Sequence, residues 1–516
     1  MRTNRIRNWI IGVGGSLLIG SLIYYAQLPK ADNLNLNTMI KSLNEKRQSA
    51  LKESLYEKGE AVMQPLEKNE FTKEELEVLF TEGKVQSVTK SEAIEDVQVL
   101  FKMLSQSYGG YLYFGGKEQF DKAEQKMIRQ IEGLMTDKVP VKIFDLILKQ
   151  GLSFVEDSHL SINGGHTAFK EQYCLYASGM SPIEKDDRGY YQLEQGKKYY
   201  IEEGCKPYIK PTIGEEGKLI YGLFAVVNKE EKEALPKSLI LKNDDMSIEK
   251  EIIWRLCEIG ASSLEEGSKN YSYKEVSDIP VMAYTQMDLD SHTSHDTKAF
   301  IEEAATLRNQ DVAILDLRGN GGGHPYVNLM WLYQITGKTI YPRELEVVYK
   351  SQIVEYSKIF SLLHSQVEDF ELNIEGFEPD FYNEFKPNYQ GETEKDYVVE
   401  YAEHQEWVEN ETLWFVLVDK GVCSAGEMLL SQMKNMSNVI IVGTNSNGCL
   451  TTGLSLYNTP LYLPNSKQQI IYSISMVLTD ETEGYDARGT LPDLYIANED
   501  ALDAVVRCYE YYKDTL

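Results

Sequence analysis

The sequence predicts an α/β core preceded by a helical subdomain and a small β-rich module, all behind one N-terminal membrane-crossing helix. Three observations predict this. Past Ile279, short and almost wholly apolar runs alternate with helical stretches: VAILDL at 312–317, LWFVLV at 413–418, VIIVG at 439–443 and IIYSISMVL at 470–478. Such runs read as parallel strands whose sheet is covered by helices on both faces. Upstream, residues 89–165 keep a helical period, while 166–278 change to aromatic and β-branched runs (YYQL, KKYYIE, LIYGLFAVVN) between Gly, Pro and charged turns. At the front, Trp9 to Ala26 carries no charge over 18 residues, just enough to cross a bilayer.

Composition bounds the function. A chain of 516 residues with 42% hydrophobic and 26% charged residues buries a full core and divides into two or three domains. Its 80 acidic against 52 basic residues give a net charge of −28, which repels a phosphate backbone, so no nucleic-acid partner is expected. Six cysteines in a chain this long form no disulfide framework, and none has zinc-ligand spacing. No metal or other cofactor is called for.

The elements follow in order. Arg2, Arg5 and Arg7 precede the apolar stretch and place residues 1–8 in the cytoplasm, with everything after the 9–26 anchor outside it, as at a bacterial cell surface. A cleaved signal peptide is the competing reading, but bulky Tyr24 two positions before Ala26 fits a small-x-small cleavage site poorly. An extracytoplasmic chain can hold a disulfide, and Cys174 with Cys205 is the local pair; Cys257 and Cys508 read as buried apolar residues. Residues 27–88 form a solvated helical stalk, with Ile40, Leu43, Leu51 and Leu55 at helical spacing. The subdomain 89–165 opens on the capping-box pattern Thr89-x-x-Glu92. The β-rich module 166–278, the core 279–498 and a C-terminal helix 499–516 complete the chain. Residues 366–411 are acidic and aromatic without a period; they read as a solvated insertion over the sheet, with a substrate lid as the alternative.

Two segments can carry chemistry. Asp316-Leu-Arg-Gly-Asn-Gly-Gly-Gly323 ends the 312–317 strand, at the sheet edge where ligands bind, and its glycines permit a nest of N–H groups for a phosphate or an oxyanion. The dinucleotide spacing fails at His324 and no Gly-Lys-Ser/Thr follows, while a merely tight turn remains open. In LWFVLVDKGVCSAGE (413–427), Ser424 stands at a helix start, where the positive end of the helix stabilises an attacking oxygen; a plain helix cap is the bland alternative. Together they suggest a nucleophile, Ser424, with oxyanion donors at the Gly322 and Ala425 amides.

These motifs resemble the tail-specific, or carboxy-terminal processing, serine peptidases, with the tricorn protease core and the retinoid-binding interphotoreceptor modules as distant relatives. DLRGNGGG, SAGE, a VGT turn, the closing GTLPD (489–493) and the upstream EDSHLSI (156–162), a D-x-H segment, carry the resemblance. It implies a crotonase/ClpP-like core and peptide-bond hydrolysis, with a peptide or protein substrate. In members with a Ser-Lys dyad the lysine lies 25 residues after the serine, where this chain has Cys449. A serine hydroxyl needs another base. By resemblance to the tricorn-like branch that base is His159, oriented by Asp486, with Glu483 as the nearby substitute for the carboxylate. His324 is a competing base, and His292 and His295 lie in a polar loop. Lys434 stands almost three helical turns from Ser424. Cys423 and Cys449 read as small, partly buried side chains, Glu427 as a partner of the helix dipole, and Arg318 as the partner of a carboxylate that holds the glycine loop.

The β-rich module shows no carboxylate loop of the PDZ type, so tail recognition of the usual kind is not expected. Two rival readings stand beside a membrane-anchored serine peptidase. One is a catalytically silent binding or scaffold protein that keeps the fold. The other, acyl chemistry on a thioester, follows from fold analogy alone.

Overall fold

The computed structural model describes residues 34–51, 70–167, 173–257, 270–287, 294–342, 345–363, 374–377, 397–401, 407–450, 452–453, 460–479, 488–497 and 500–516. The expected anchor at 9–26 lies outside these residues, as do Glu483, Asp486 and most of the 366–411 insertion. No helix among the described residues is long and apolar enough to cross a membrane.

The core is a six-stranded sheet in the order Tyr271–Val276, Ile279–Tyr284, Val312–Asp316, Leu413–Val418, Val439–Gly443, Leu494–Tyr495. The first two strands form an antiparallel pair, and from Ile279–Tyr284 onward neighbours run parallel. Side chains alternate across it, as the period of two requires. Trp414, Val416 and Val418 pack with the helices Ser294–Ala304, Pro325–Thr336 and Ala425–Met433. Leu413, Phe415 and Leu417 face the opposite layer, made by the C-terminal helix Ala501–Tyr512 and by Leu36–Ala50. Both faces are buried, which is why these strands read as unbroken apolar runs.

One expected strand is corrected. The run at 470–478 does not join this sheet; it splits into Gln469–Ile471 and Ser475–Leu478, each antiparallel in a separate four-stranded sheet. The break falls at Ser473, whose hydroxyl accepts from Ser475 N–H and whose carbonyl accepts from Gly109 N–H. A side-chain bond to the local backbone turns the chain where a hydrophobicity profile sees only continuity.

The helical region is built on Lys90–Ser107, started by the Thr89/Glu92 capping box, with Gly116–Glu132 and Val141–Gly151 against it. Leu461, Leu463, Ile470 and Tyr472 belong to the same apolar cluster. Ser161–Ile162 pairs antiparallel with Gln469–Ile471, Ile162 opposite Ile470. This short pairing delivers the D-x-H segment to the core.

Residues 173–257 form two antiparallel sheets, of five and four strands, the latter including Cys174–Ser178. Cys174 and Cys205 are free thiols, which corrects the expected disulfide. Cys205 packs into the apolar cluster around Leu239 and Leu241, whereas Cys174 sits in a strand of the other sheet. The segment expected as a solvated stalk also differs. Its helix Leu36–Ala50 lies on the core sheet: Leu36 is fully buried, Arg47 pairs with Asp493 at 2.7 Å, and Arg47 Nη1 donates to Val439 O at 2.6 Å. Leu36, Met39, Ile40 and Leu43 supply one apolar stripe against the sheet.

Candidate active site

The glycine loop and the serine loop are tied to each other by backbone and carboxylate bonds. Arg318 makes a bidentate pair with Asp316, Nε to Oδ1 at 2.9 Å and Nη2 to Oδ2 at 2.8 Å, with both side chains buried. This is the role expected of Arg318, and a planar fork is what that geometry needs. Asp419, from the serine loop, accepts from Gly319 N–H at 2.9 Å and from Gly421 N–H at 2.8 Å. Burial pushes the Asp419 carboxyl above its ordinary range against those two bonds. Cys423 N–H donates to Asn320 O at 3.0 Å, and Asn328 Nδ2 donates to Ala425 O at 2.8 Å. The two loops that sequence places a hundred residues apart are one structure, because Val312–Asp316 and Leu413–Val418 are neighbours in the sheet.

Ser424 stands at φ 51°, ψ −120°, immediately before the helix Ala425–Met433. A non-glycine residue at positive φ is strained, and such strain persists only where the surroundings hold it. Its side chain makes no capping bond. The helix-cap reading therefore fails: this serine is placed at a helix start without serving the helix. Its own N–H donates to Cys449 Sγ at 3.0 Å. Among the described residues neither the Ser424 hydroxyl nor the Ala425 N–H has a hydrogen-bond partner. The Gly322 N–H does have one: it donates to Asn320 Oδ1 at 2.9 Å. Of the two expected oxyanion donors, one is open and one is held by its own loop.

Behind Ser424 lies the loop 444–449. Glu427, fully buried in the first helical turn, accepts from the Ser446 hydroxyl, from Gly448 N–H at 2.7 Å and from Cys449 N–H at 3.0 Å, with the Cys449 thiol at 3.2 Å. It anchors this loop rather than serving the helix dipole alone. Cys449 Sγ lies 2.7 Å from Cys423 Sγ. That contact, burial and the Glu427 charge together hold the Cys449 thiol well above its ordinary range. Cys449 is thereby not an activated nucleophile. The buried Lys420 donates to Ser446 O at 3.0 Å and Asn447 O at 2.9 Å, so its ammonium fastens the same loop.

His159 is buried beside this loop. Its Nδ1 lies 3.2 Å from Thr452 Oγ1, its N–H donates to Asp157 Oδ1 at 2.8 Å, and Asp157 also accepts from Thr452 Oγ1 at 2.8 Å and from Tyr108 OH at 2.7 Å. Thr452 stands three residues after Cys449, so at ~3.8 Å per residue their Cα atoms are within about 11 Å. The structure brings Ser424, Ala425 and Gly322 together and places His159 against Thr452, three residues beyond the Cys449 that meets Ser424 N–H; Asp486 and Glu483 lie outside the described residues. Among the other histidines, His324 Nδ1 accepts from Tyr326 N–H at 3.2 Å, which leaves the neutral ring's proton on Nε2, a donor rather than a base. Burial pushes His324 down to about 4. His166 and His295 are exposed. Sequence reasoning missed Thr452 and Tyr108 altogether. An isolated Thr-Thr-Gly after Cys449 carries no signal of its own, and Tyr108 is far from every motif.

The sequence model of peptidase family S41 matches residues 278–496. No curated protein matches the chain. Among solved structures, mature CPAF is similar over 82% of this chain and 96% of its own, at 13% identity and a TM-score of 0.42. A putative peptidase from Parabacteroides merdae covers 83% of this chain and 99% of its own, at 13% identity and 0.41. The tricorn protease matches 82% of this chain with 36% of its own, at 13% identity and 0.33. Over residues 278–496 the chain is thus similar to peptidase family S41, and that match supports a serine-type peptidase.

Proposed function

We propose that this chain is a membrane-anchored peptidase facing away from the cytoplasm, in which Ser424 attacks a peptide carbonyl and His159 takes its proton. The Ser424 oxygen bonds to the carbonyl carbon while its proton passes to His159 Nε2. The imidazolium then gives that proton to the leaving amine, and water repeats the sequence on the acyl-enzyme. The Ala425 N–H, at the positive end of the Ala425–Met433 helix, is the first oxyanion donor. Gly322 N–H is the second, sharing its hydrogen between Asn320 Oδ1 and the oxyanion. Asp486 is the carboxylate that the resemblance assigns to the base His159. The uncharged 9–26 segment behind three arginines supports the anchor and the orientation.

The observation that carries this reading is the strained, uncapped Ser424, with an open amide next to it and a glycine nest against it. The test is hydrolysis of an unstructured peptide together with labelling by a serine-directed fluorophosphonate. Wild type is expected to do both and Ser424→Ala neither; full hydrolysis by Ser424→Ala would remove the nucleophile assignment. One observation favours the silent-scaffold reading: no described side chain hydrogen-bonds the Ser424 hydroxyl. That reading expects no labelling of the wild type.

A further inference from the structure

The bonds around His159 decide which nitrogen of the ring carries a proton. Asp157 receives three donors, His159 N–H and the Thr452 hydroxyl on Oδ1 and the Tyr108 hydroxyl on Oδ2, as an ionised carboxylate does. A threonine hydroxyl has one hydrogen, and Thr452 gives it to Asp157. Toward His159 Nδ1, 3.2 Å away, Thr452 Oγ1 can then only accept. Nδ1 must therefore be the protonated nitrogen, and Nε2 keeps the lone pair. Asp157 itself is 3.8 Å from Nδ1, beyond a hydrogen bond, so the hydroxyl is the necessary link. Asp157 is the carboxylate beside the ring, and Tyr108 stands behind it.

We propose that Thr452, held by Asp157, is the positioning residue that fixes His159 in the Nδ1–H tautomer and presents Nε2 as the proton acceptor. This rests on the reading of His159 as the base and supplies, from its own side of the chain, the orientation a triad carboxylate gives directly. Tyr108 completes the set from the helical subdomain: its ring is fully buried, and its hydroxyl fixes the second oxygen of Asp157. The relay thus joins Tyr108 of the helical region, the D-x-H segment and Thr452, three stretches distant in sequence.

The experiment has two arms. In nitrogen-15 spectra of histidine-labelled protein at a pH where the ring is neutral, His159, identified by its loss in His159→Ala, is expected as the Nδ1–H tautomer; in Thr452→Val it is expected as a mixture. In kinetics, Thr452→Val is expected to lower kcat by about tenfold or more with KM within about twofold, and Thr452→Ser to restore most of kcat. Asp157→Asn, which keeps its size, is expected to act in the same direction. An unchanged tautomer in Thr452→Val, or unchanged kcat in a variant that melts like wild type, overturns the proposal. If His159→Ala retained full activity, the base assignment would fall, and the spectral arm alone would then decide whether Thr452 sets the tautomer.

Discussion

Gly322 and Ser424 are packed so closely that a Cβ on the glycine would lie 2.9 Å from the serine Cβ and 2.6 Å from Cys423 O. The glycine also sits at φ 87°, where an L side chain is strained. Gly322 is thus explained by contact: the glycine loop touches the loop that carries Ser424.

Gly322→Ala is accordingly expected to destabilise the protein by roughly 1–3 kcal/mol and to abolish fluorophosphonate labelling, because the clash is with backbone and cannot be relieved by a rotamer change. Thermal melting and labelling on the same sample check this. A variant that labels at the wild-type rate would show that the two loops are not held as described.

Glu427→Gln tests the buried carboxylate. The amide keeps one acceptor oxygen but turns an NH2 toward groups that are themselves donors, Ser446, Gly448 and Cys449. Each donor left unsatisfied costs about 1–3 kcal/mol, so a loss on the order of 3 kcal/mol is expected, read as a lower urea midpoint at unchanged slope. The Cys449 thiol is held up by its contact with Cys423, by burial and by the Glu427 charge. Removing that charge is therefore expected to speed alkylation of Cys449 at pH 8, and equal rates in both proteins would contradict the assignment.

His324 supplies a pH dependence with a definite sign. Burial lowers its folded-state value to about 4, against ~6.5 in an unfolded chain. Between these values the unfolded state binds more protons, so stability rises with pH across this window. The contribution is complete above about pH 6.5 and disappears as the pH falls through 4. His324→Asn keeps a side chain able to cap the Pro325–Thr336 helix and removes the titration. Urea unfolding at pH 7, 5 and 4 is expected to show a shallower decline for the variant; parallel declines would refute it.

Much of the core was legible because its signals are local. A strand buried on both faces is apolar along its length, and 312–315, Leu413–Val418 and Val439–Gly443 are so written, with the Arg318-paired Asp316 closing the first. The glycine loop and Ser424 were legible too, since a nest and a helix start each leave a compositional trace. The run at 470–478 misled because a turn made by one serine hydroxyl leaves hydrophobicity unchanged. The helix Leu36–Ala50 misled because its sparse apolar stripe looks the same whether it faces solvent or a sheet.

By itself the sequence determined the parallel core, the place of the glycine nest and the serine at a helix start, since each follows from residue types within a few positions of one another. Only the tertiary structure decided that the Gly322 amide is held by Asn320, that Cys449 is tied to Glu427, and that His159 is gripped by Thr452 and Asp157. The grip on His159 depends on hydrogen bonds between segments almost three hundred residues apart. Their geometry is set by how a two-residue strand at 161–162 docks on 469–471, and no local pattern encodes that docking.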